Sequence, residues 1–261
     1  MPEVSGDDQL RPTPKDIINT EVQEPIGDVI IGKIDPRTLS REEFERSPEL
    51  LFHGAEKDFV FKRTLILGPN SETIGRGFYT TDDKKNAEFY SRVRKNFKGD
   101  PVVLSVLPYQ ARMLDLRTKG NKLCNAPVSY DFAKEYLDFI SASFDGKYPS
   151  DYIPDFKLPL SAEAIGFMAL NSYRNELRDF IQKHKGQSLE LRSLISGRGN
   201  QSLSEKGSSY FTQFMLDKGY DGLICNEGGD HPDQKHTTSL VFYNLEKIGV
   251  YETWHSEGKA E

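Results

Sequence analysis

The chain has 261 residues, 36% of them hydrophobic and 11% aromatic, enough for a sizeable core in one large domain or two small ones. A formal charge of −6 and a pI near 5.5 argue against general affinity for a nucleic-acid backbone, which calls for dense positive charge. No apolar run approaches the roughly 18 residues that a membrane-spanning helix needs, and Cys124 and Cys225 stand too far apart for a zinc motif and read as thiols of a reducing compartment.

Residues 1–28 combine Pro2, Pro12, Pro14 and Pro25 with acids and polar residues and read as a flexible leader. The acidic start does not resemble a Sec-type signal peptide, so the expected location is the cytoplasm of the cell that makes the protein. An effector exported by a signal-free machine shares that appearance. Residues 29–261 read as a single domain. Val29 to Ile34 is a short strand, Asp35-Pro36 a turn, and Ser40-Arg41-Glu42-Glu43 a capping box ahead of one or two helical turns. Glu49 to Ala55 is an apolar strand ending in His53-Gly54. Lys57 to Thr73, with Phe59, Phe61 and Gly68-Pro69-Asn70, is expected to cross the mouth of a site as strand or loop.

Gly75-Arg76-Gly77 is a tight turn that feeds the strand Phe78-Tyr79-Thr80-Thr81. Thr81 or Asp82 then caps a helix running to about Arg94, on which Ala87, Tyr90 and Ser91 share a face. Pro101 to Leu107 is a core strand and Met113 to Leu116 an edge. From 118 to 207 the pattern turns helical, which marks an insert. Ser129 to Phe144 carries a stripe of Ala133, Tyr136, Leu137, Ile140 and Phe144. Ser161 to Lys185 carries Ile165, Met168, Ala169, Tyr173, Leu177 and Ile181, with Gly186 as the stop. This insert either completes the core or meets a target protein. Ser208 to Lys218 is a short helix, Tyr220 to Cys225 a strand, and Asn226 to Thr237 a loop. Ser239 to Tyr243 and Gly249 to Trp254 are the closing strands. Short strands interrupted by helices, without strict alternation, favour α+β with antiparallel sheets.

Three of these pieces, His53-Gly54, the run from Gly75 to Ser91, and Leu240-Val241-Phe242-Tyr243-Asn244 with Ile248, resemble the ADP-ribosyltransferase family. The branch in question is that of poly(ADP-ribose) polymerases and diphtheria-type toxins. The middle block carries the resemblance best, with Gly75, Gly77, Tyr79, Asp82 and Tyr90 all in register. The resemblance implies an ADP-ribosyltransferase-like split antiparallel β-sandwich with NAD in the cleft between two sheets. It implies a NAD-dependent mono-ADP-ribosyltransferase that modifies an acceptor protein, of a size that suits a bacterial toxin or effector.

By the same resemblance His53 and Gly54 hold the adenosine ribose and nicotinamide, and Tyr79 and Tyr90 sandwich the nicotinamide ring, with Gly77 and Thr80 alongside. Ala87 stands where polymerases often have a serine. Chemically, a glycine lets a ligand approach the backbone, its amide and carbonyl suit a carboxamide, an imidazole can donate to a ribose hydroxyl, and an aromatic ring suits a cationic heterocycle. The family's catalytic glutamate position is occupied by Ser239, which cannot stabilise an oxocarbenium-like transition state by charge. Three readings stay open. A carboxylate can come from Glu227, Asp230 or Asp233 in the neighbouring loop, or from Asp221, which reads better as a turn residue. Transfer can be substrate-assisted by an acceptor carboxylate. The fold can also act as a catalytically inactive NAD- or ADP-ribose-binding module. No phosphate loop and no Gly-x-Ser-x-Gly elbow is present, and His231 and His236 beside Asp230 and Asp233 read as a solvated loop before a metal site.

Overall fold

The computed structural model of the chain describes residues 27–62, 75–93, 100–117, 126–145, 162–196, 201–227 and 237–256. The first strand, β1 (Gly27–Ile31), leads into a 3-10 turn at Pro36–Thr38 whose Asp35 side chain accepts from the Arg37 amide. Ser40 and Glu43 exchange side-chain and main-chain bonds as the expected capping box, starting α1 (Arg41–Glu45). Glu49 ties this entry to the sheet. Its carboxylate accepts from the amides of Gly32, Lys33 and Ile34 at 3.1–3.4 Å.

One eight-stranded sheet dominates. The first half of the chain contributes β2 (Leu51–Glu56), β3 (Phe78–Thr81), β4 (Pro101–Pro108) and β5 (Ala111–Asp115). The second half contributes β8 (Gly222–Glu227), β9 (Thr237–Phe242) and β10 (Ile248–Gly249). The order across the sheet is β1-β5-β8-β9-β3-β2-β4-β10, and every pair is antiparallel except β5 with β8. A two-stranded ladder of β6 (Pro127–Val128) and β7 (Leu189–Glu190) stands apart from it. The helices are α2 (Lys84–Val93), α3 (Tyr130–Asp145), α4 (Ala162–Lys183), α5 (Leu191–Ser196), α6 (Gln201–Asp217) and α7 (Tyr251–Ser256).

Alternation along the strands separates two cores. On one face Ala111, Met113, Ile224, Leu240, Phe242, Phe78, Leu51, Val106 and Ile248 form one cluster, joined by Val29, Phe59 and Phe61. Residues of β1 and of β10, the two edges of the sheet, belong to one cluster, so the sheet curls around this face. The other face packs on helices. Leu114, Leu223, Cys225, Val241 and Tyr243 meet Tyr136, Tyr173, Ile181, Phe211 and Phe214 of α3, α4 and α6. Two buried hydroxyls link these helices: Tyr173 donates to the Leu194 carbonyl at 2.8 Å, and Tyr136 lies 3.0 Å from Tyr173. Burial pushes both phenols above the usual tyrosine range.

The sheet is continuous where two separate sheets were expected. Met113 to Leu116 is no edge, because β1 adds outside β5. His53-Gly54 lies inside β2 and not at its end, and the cap of α2 falls one residue later than expected. There the Asp83 carboxylate accepts from the Lys85 amide at 2.8 Å. Gly249 to Trp254 is not a strand: β10 ends at Gly249, and α7 follows. The aromatic and β-branched residues read as strand-formers, but burying Trp254, with Nε1 donating to the Leu107 carbonyl at 3.3 Å, decides the conformation. The helix expected from Ser208 begins at Gln201, and β6, β7 and α5 carried no periodicity long enough to see. The loop 146–159, the side chains of Phe144, Ile165, Met168 and Ala169, and residues Gly68-Pro69-Asn70 and Cys124 lie outside the described residues. Among the described residues no helix is long and apolar enough to cross a membrane.

Candidate functional site

The sheet forks between β2 and β3. β2 pairs with β4 at six positions but with β3 only at Phe52↔Thr81. Antiparallel ladders alternate which residues bond to which neighbour. The Lys57 amide donates to the Asp100 carbonyl at 2.9 Å, so the odd-numbered residues of β2 turn their main-chain groups toward β4. Pro101, which has no N–H, sits opposite Glu56, where β4 needs none. Phe52 and Gly54 therefore turn their amide and carbonyl toward β3, and Gly54 does so beyond the last pairing of the two strands. An amide and a carbonyl side by side on one extended residue suit a carboxamide.

Three strands carry the expected residues next to one another. Thr81 of β3 lies opposite both Phe52 of β2 and Ser239 of β9, and Ser239 lies opposite Cys225 of β8. Opposed residues share a face, so Gly54, Tyr79, Thr81, Ser239 and Cys225 belong to the helix-covered face. His53 is on the other. Its ring packs on Phe78 (4.2 Å between centroids) and Phe59 (5.6 Å) and is 9% exposed. It reaches Tyr79 through the backbone: Nδ1 lies 2.7 Å from the Tyr79 carbonyl. A carbonyl only accepts, so Nδ1 carries the proton of this contact.

The glycines have packing reasons of their own. A Cβ at Gly54 would stand 2.3 Å from the Ala87 carbonyl oxygen and 2.8 Å from the Ser91 amide nitrogen, so α2 rests directly on this residue. A Cβ at Gly77 would meet Val241 at 2.4 Å, and Gly75 has φ 95°, the left-handed region. Thr80 faces the curled core and its hydroxyl donates to the Leu240 carbonyl at 3.3 Å, which clips β3 to β9. Ala87 is a buried residue of α2 on the side that faces Gly54. Tyr79 is half-buried and donates from its hydroxyl to the Gly75 carbonyl at 2.9 Å. Tyr90, 40% exposed, meets Phe89 edge-on at 5.7 Å.

Ser239 is 5% exposed. Among the carboxylates that the sequence offers near Ser239, Asp221 is committed to structure. It accepts from the Arg112 amide at 2.8 Å and the Asn244 side chain at 2.7 Å, and its carbonyl accepts from Tyr243 and Asn244. It is the turn residue that the sequence favoured. Residue 227 lies opposite Thr237, two positions beyond the Cys225↔Ser239 pair. The side chain of Glu227 lies outside the described residues. Asp230, Asp233, His231 and His236 lie outside the described residues. Among the described residues no group of three His, Cys, Asp or Glu side chains could hold a metal ion.

A fully buried Asp115 on β5 holds Arg117 with both oxygens, Nε at 3.0 Å and Nη2 at 2.6 Å, while the arginine is 39% exposed. The hydrogen bond to Asp115 raises the guanidinium pKa, and the charges of Asp115 and Asp82 add to it. Asp82 in turn accepts from the Thr238 amide at 3.0 Å beside Ser239. A concavity lined by Ile34, Leu39, Ser40, Glu42, Glu43 and Arg46 lies at α1 and includes no residue of the fork. The sequence marks Thr81 as a cap candidate and Ser91 as part of a helix face, but that Thr81 lies opposite Ser239 and that the Ser91 backbone meets Gly54 depend on strand pairing and packing.

No family model, no curated protein and no solved structure matches this chain.

Proposed function

We propose that this chain binds NAD at the fork between β2 and β3 and transfers a single ADP-ribose to a protein side chain. The observation that carries the reading is the convergence of three sequence-distant strands. Gly54, Tyr79 and Ser239 meet on one face of β2, β3 and β9, at the point where β2 and β3 part. The chemistry needs a hold on the carboxamide, a ring against the cationic nicotinamide, and negative charge near the ribose as the glycosidic bond breaks. The main-chain groups of Gly54 suit the first and Tyr79 the second. For the third, Glu227 is the candidate, since its backbone pairs two register positions from Ser239 on the adjacent strand. The acceptor would approach from the side of Ser239, and action as a toxin or effector on a foreign protein belongs to this same proposal. The finer fold, an ADP-ribosyltransferase-like sandwich split at this fork, is part of it too.

A second reading has its own support. An uncharged Ser239, enclosed between Thr81 and Cys225, suits a module that binds NAD or ADP-ribose without cleaving it.

Incubating the purified chain with labelled NAD, with and without a cell lysate, separates the two. Label transferred to a protein, lost in Tyr79→Ala and reduced by about 100-fold in Glu227→Gln, supports the transferase. Ser239→Glu should then raise NAD hydrolysis. Saturable NAD binding with no label favours the binding module, and absence of both refutes the two readings together.

A further inference from the structure

The ring of Tyr79 is fixed at its hydroxyl, which donates to the Gly75 carbonyl at 2.9 Å. Gly75 begins the Gly-Arg-Gly turn with φ 95°, so the phenol is only as well placed as that turn. The turn rests on α6. The Arg76 amide donates to the Ser208 carbonyl at 3.4 Å. The Thr212 hydroxyl lies 3.0 Å from the Arg76 carbonyl and 3.0 Å from the Ser208 carbonyl. A Cβ at position 75 would stand 3.0 Å from the same hydroxyl, so the turn packs closely on Thr212.

We infer that Thr212 is a positioning residue for Tyr79, holding the Gly75–Gly77 turn against α6 so that the aromatic ring stands ready for a flat cationic heterocycle. A threonine in a helix ordinarily bonds its hydroxyl to the carbonyl four residues back, here Ser208. The Arg76 carbonyl at an equal distance gives that one proton a second acceptor from outside the helix. The helical layer thereby gains a defined route to the site: Thr212 to Arg76, one peptide bond to Gly75, and the Gly75 carbonyl to the phenol. The inference rests on the reading of Tyr79 as the ring that stacks on nicotinamide.

The test uses the full chain labelled with 3-fluorotyrosine, with the Tyr79 resonance assigned by its disappearance in Tyr79→Phe. Thr212→Val, which replaces the hydroxyl with a methyl group of similar size, should shift the Tyr79 fluorine resonance while the other tyrosines stay in place. It should weaken NAD binding in calorimetry by about 3- to 10-fold, the effect of one lost neutral hydrogen bond. Thr212→Ser should restore both. In the Tyr79→Phe background Thr212→Val should weaken binding no further, because the link is already cut. An unmoved Tyr79 resonance in folded Thr212→Val, or fully additive effects in the double variant, overturns the inference. If Thr212→Val does not fold, Thr212→Ala carries the same resonance test. If the unmodified chain binds no NAD, the NAD reading falls, and the resonance shift still decides whether Thr212 positions Tyr79.

Discussion

Replacing Gly54 with alanine puts a methyl group where α2 already lies. The new Cβ would stand 2.3 Å from the Ala87 carbonyl oxygen and 2.8 Å from the Ser91 amide nitrogen. Both are main-chain atoms, so no rotamer change relieves the clash and the helix itself must retreat by about 1 Å to reach ordinary contact. Overpacking of this kind costs about 1–3 kcal/mol. For a chain of this length that lowers the melting temperature by roughly 2–10 °C. Because the contact is with backbone, Ala87→Gly should not rescue it. Calorimetry of the unliganded protein reads the loss directly. Were Gly54 a glycine only so that a ligand can come close, Gly54→Ala would melt with the unmodified chain and lose NAD binding alone. That outcome would refute the packing argument.

The other predictions concern groups whose burial is unequal. Arg117→Met should cost about 3–5 kcal/mol, because it strands the Asp115 carboxylate without its counter-charge. Asp115→Asn should cost less, since the half-exposed guanidinium can turn to water; equal losses in urea unfolding would count against this asymmetry. Tyr173→Phe should destabilise more than Tyr136→Phe. Tyr173 both donates to the Leu194 carbonyl and receives from Tyr136, so its loss removes two buried hydrogen bonds and Tyr136→Phe only one, at about 0.5–1.5 kcal/mol each. Acid should destabilise the chain in a window set by three carboxylates held below their usual range. Asp28 is lowered by the hydrogen bond from Arg112, Asp35 by the one from Arg37, and Glu43 by the amide and then the hydroxyl of Ser40. Between the folded and unfolded values the unfolded chain binds more protons. These contributions are therefore present at neutral pH and are lost as pH falls below about 4. The combined Asp28→Asn, Asp35→Asn and Glu43→Gln variant should show a flatter fall in urea midpoint from pH 6 to pH 3, and an unchanged slope would remove these groups from the account.

Local chemistry was legible from the sequence. The capping box at Ser40, the stripe of Ala133, Tyr136 and Ile140 on α3, and the left-handed glycines at 75 and 186 follow from short-range rules that act within a few residues. The strand Phe78 to Thr81 and its place ahead of a helix were likewise written in its β-branched and aromatic composition. What the sequence could not determine is which strands meet. The pairing of Thr81 with Phe52 on one side and Ser239 on the other joins residues far apart in the chain. Parity within that pairing then decides that Ser239 and Tyr79 share a face while His53 turns to the opposite core. The conformation of residues 251–256 was decided in the same way. Their propensity favours a strand, but Trp254 buries its indole against Leu107 and Phe44 only as part of a helix. Local propensity differs by at most about 1 kcal/mol per residue, whereas burying one large aromatic side chain is worth about 1.5–3 kcal/mol, so the long-range contact prevails.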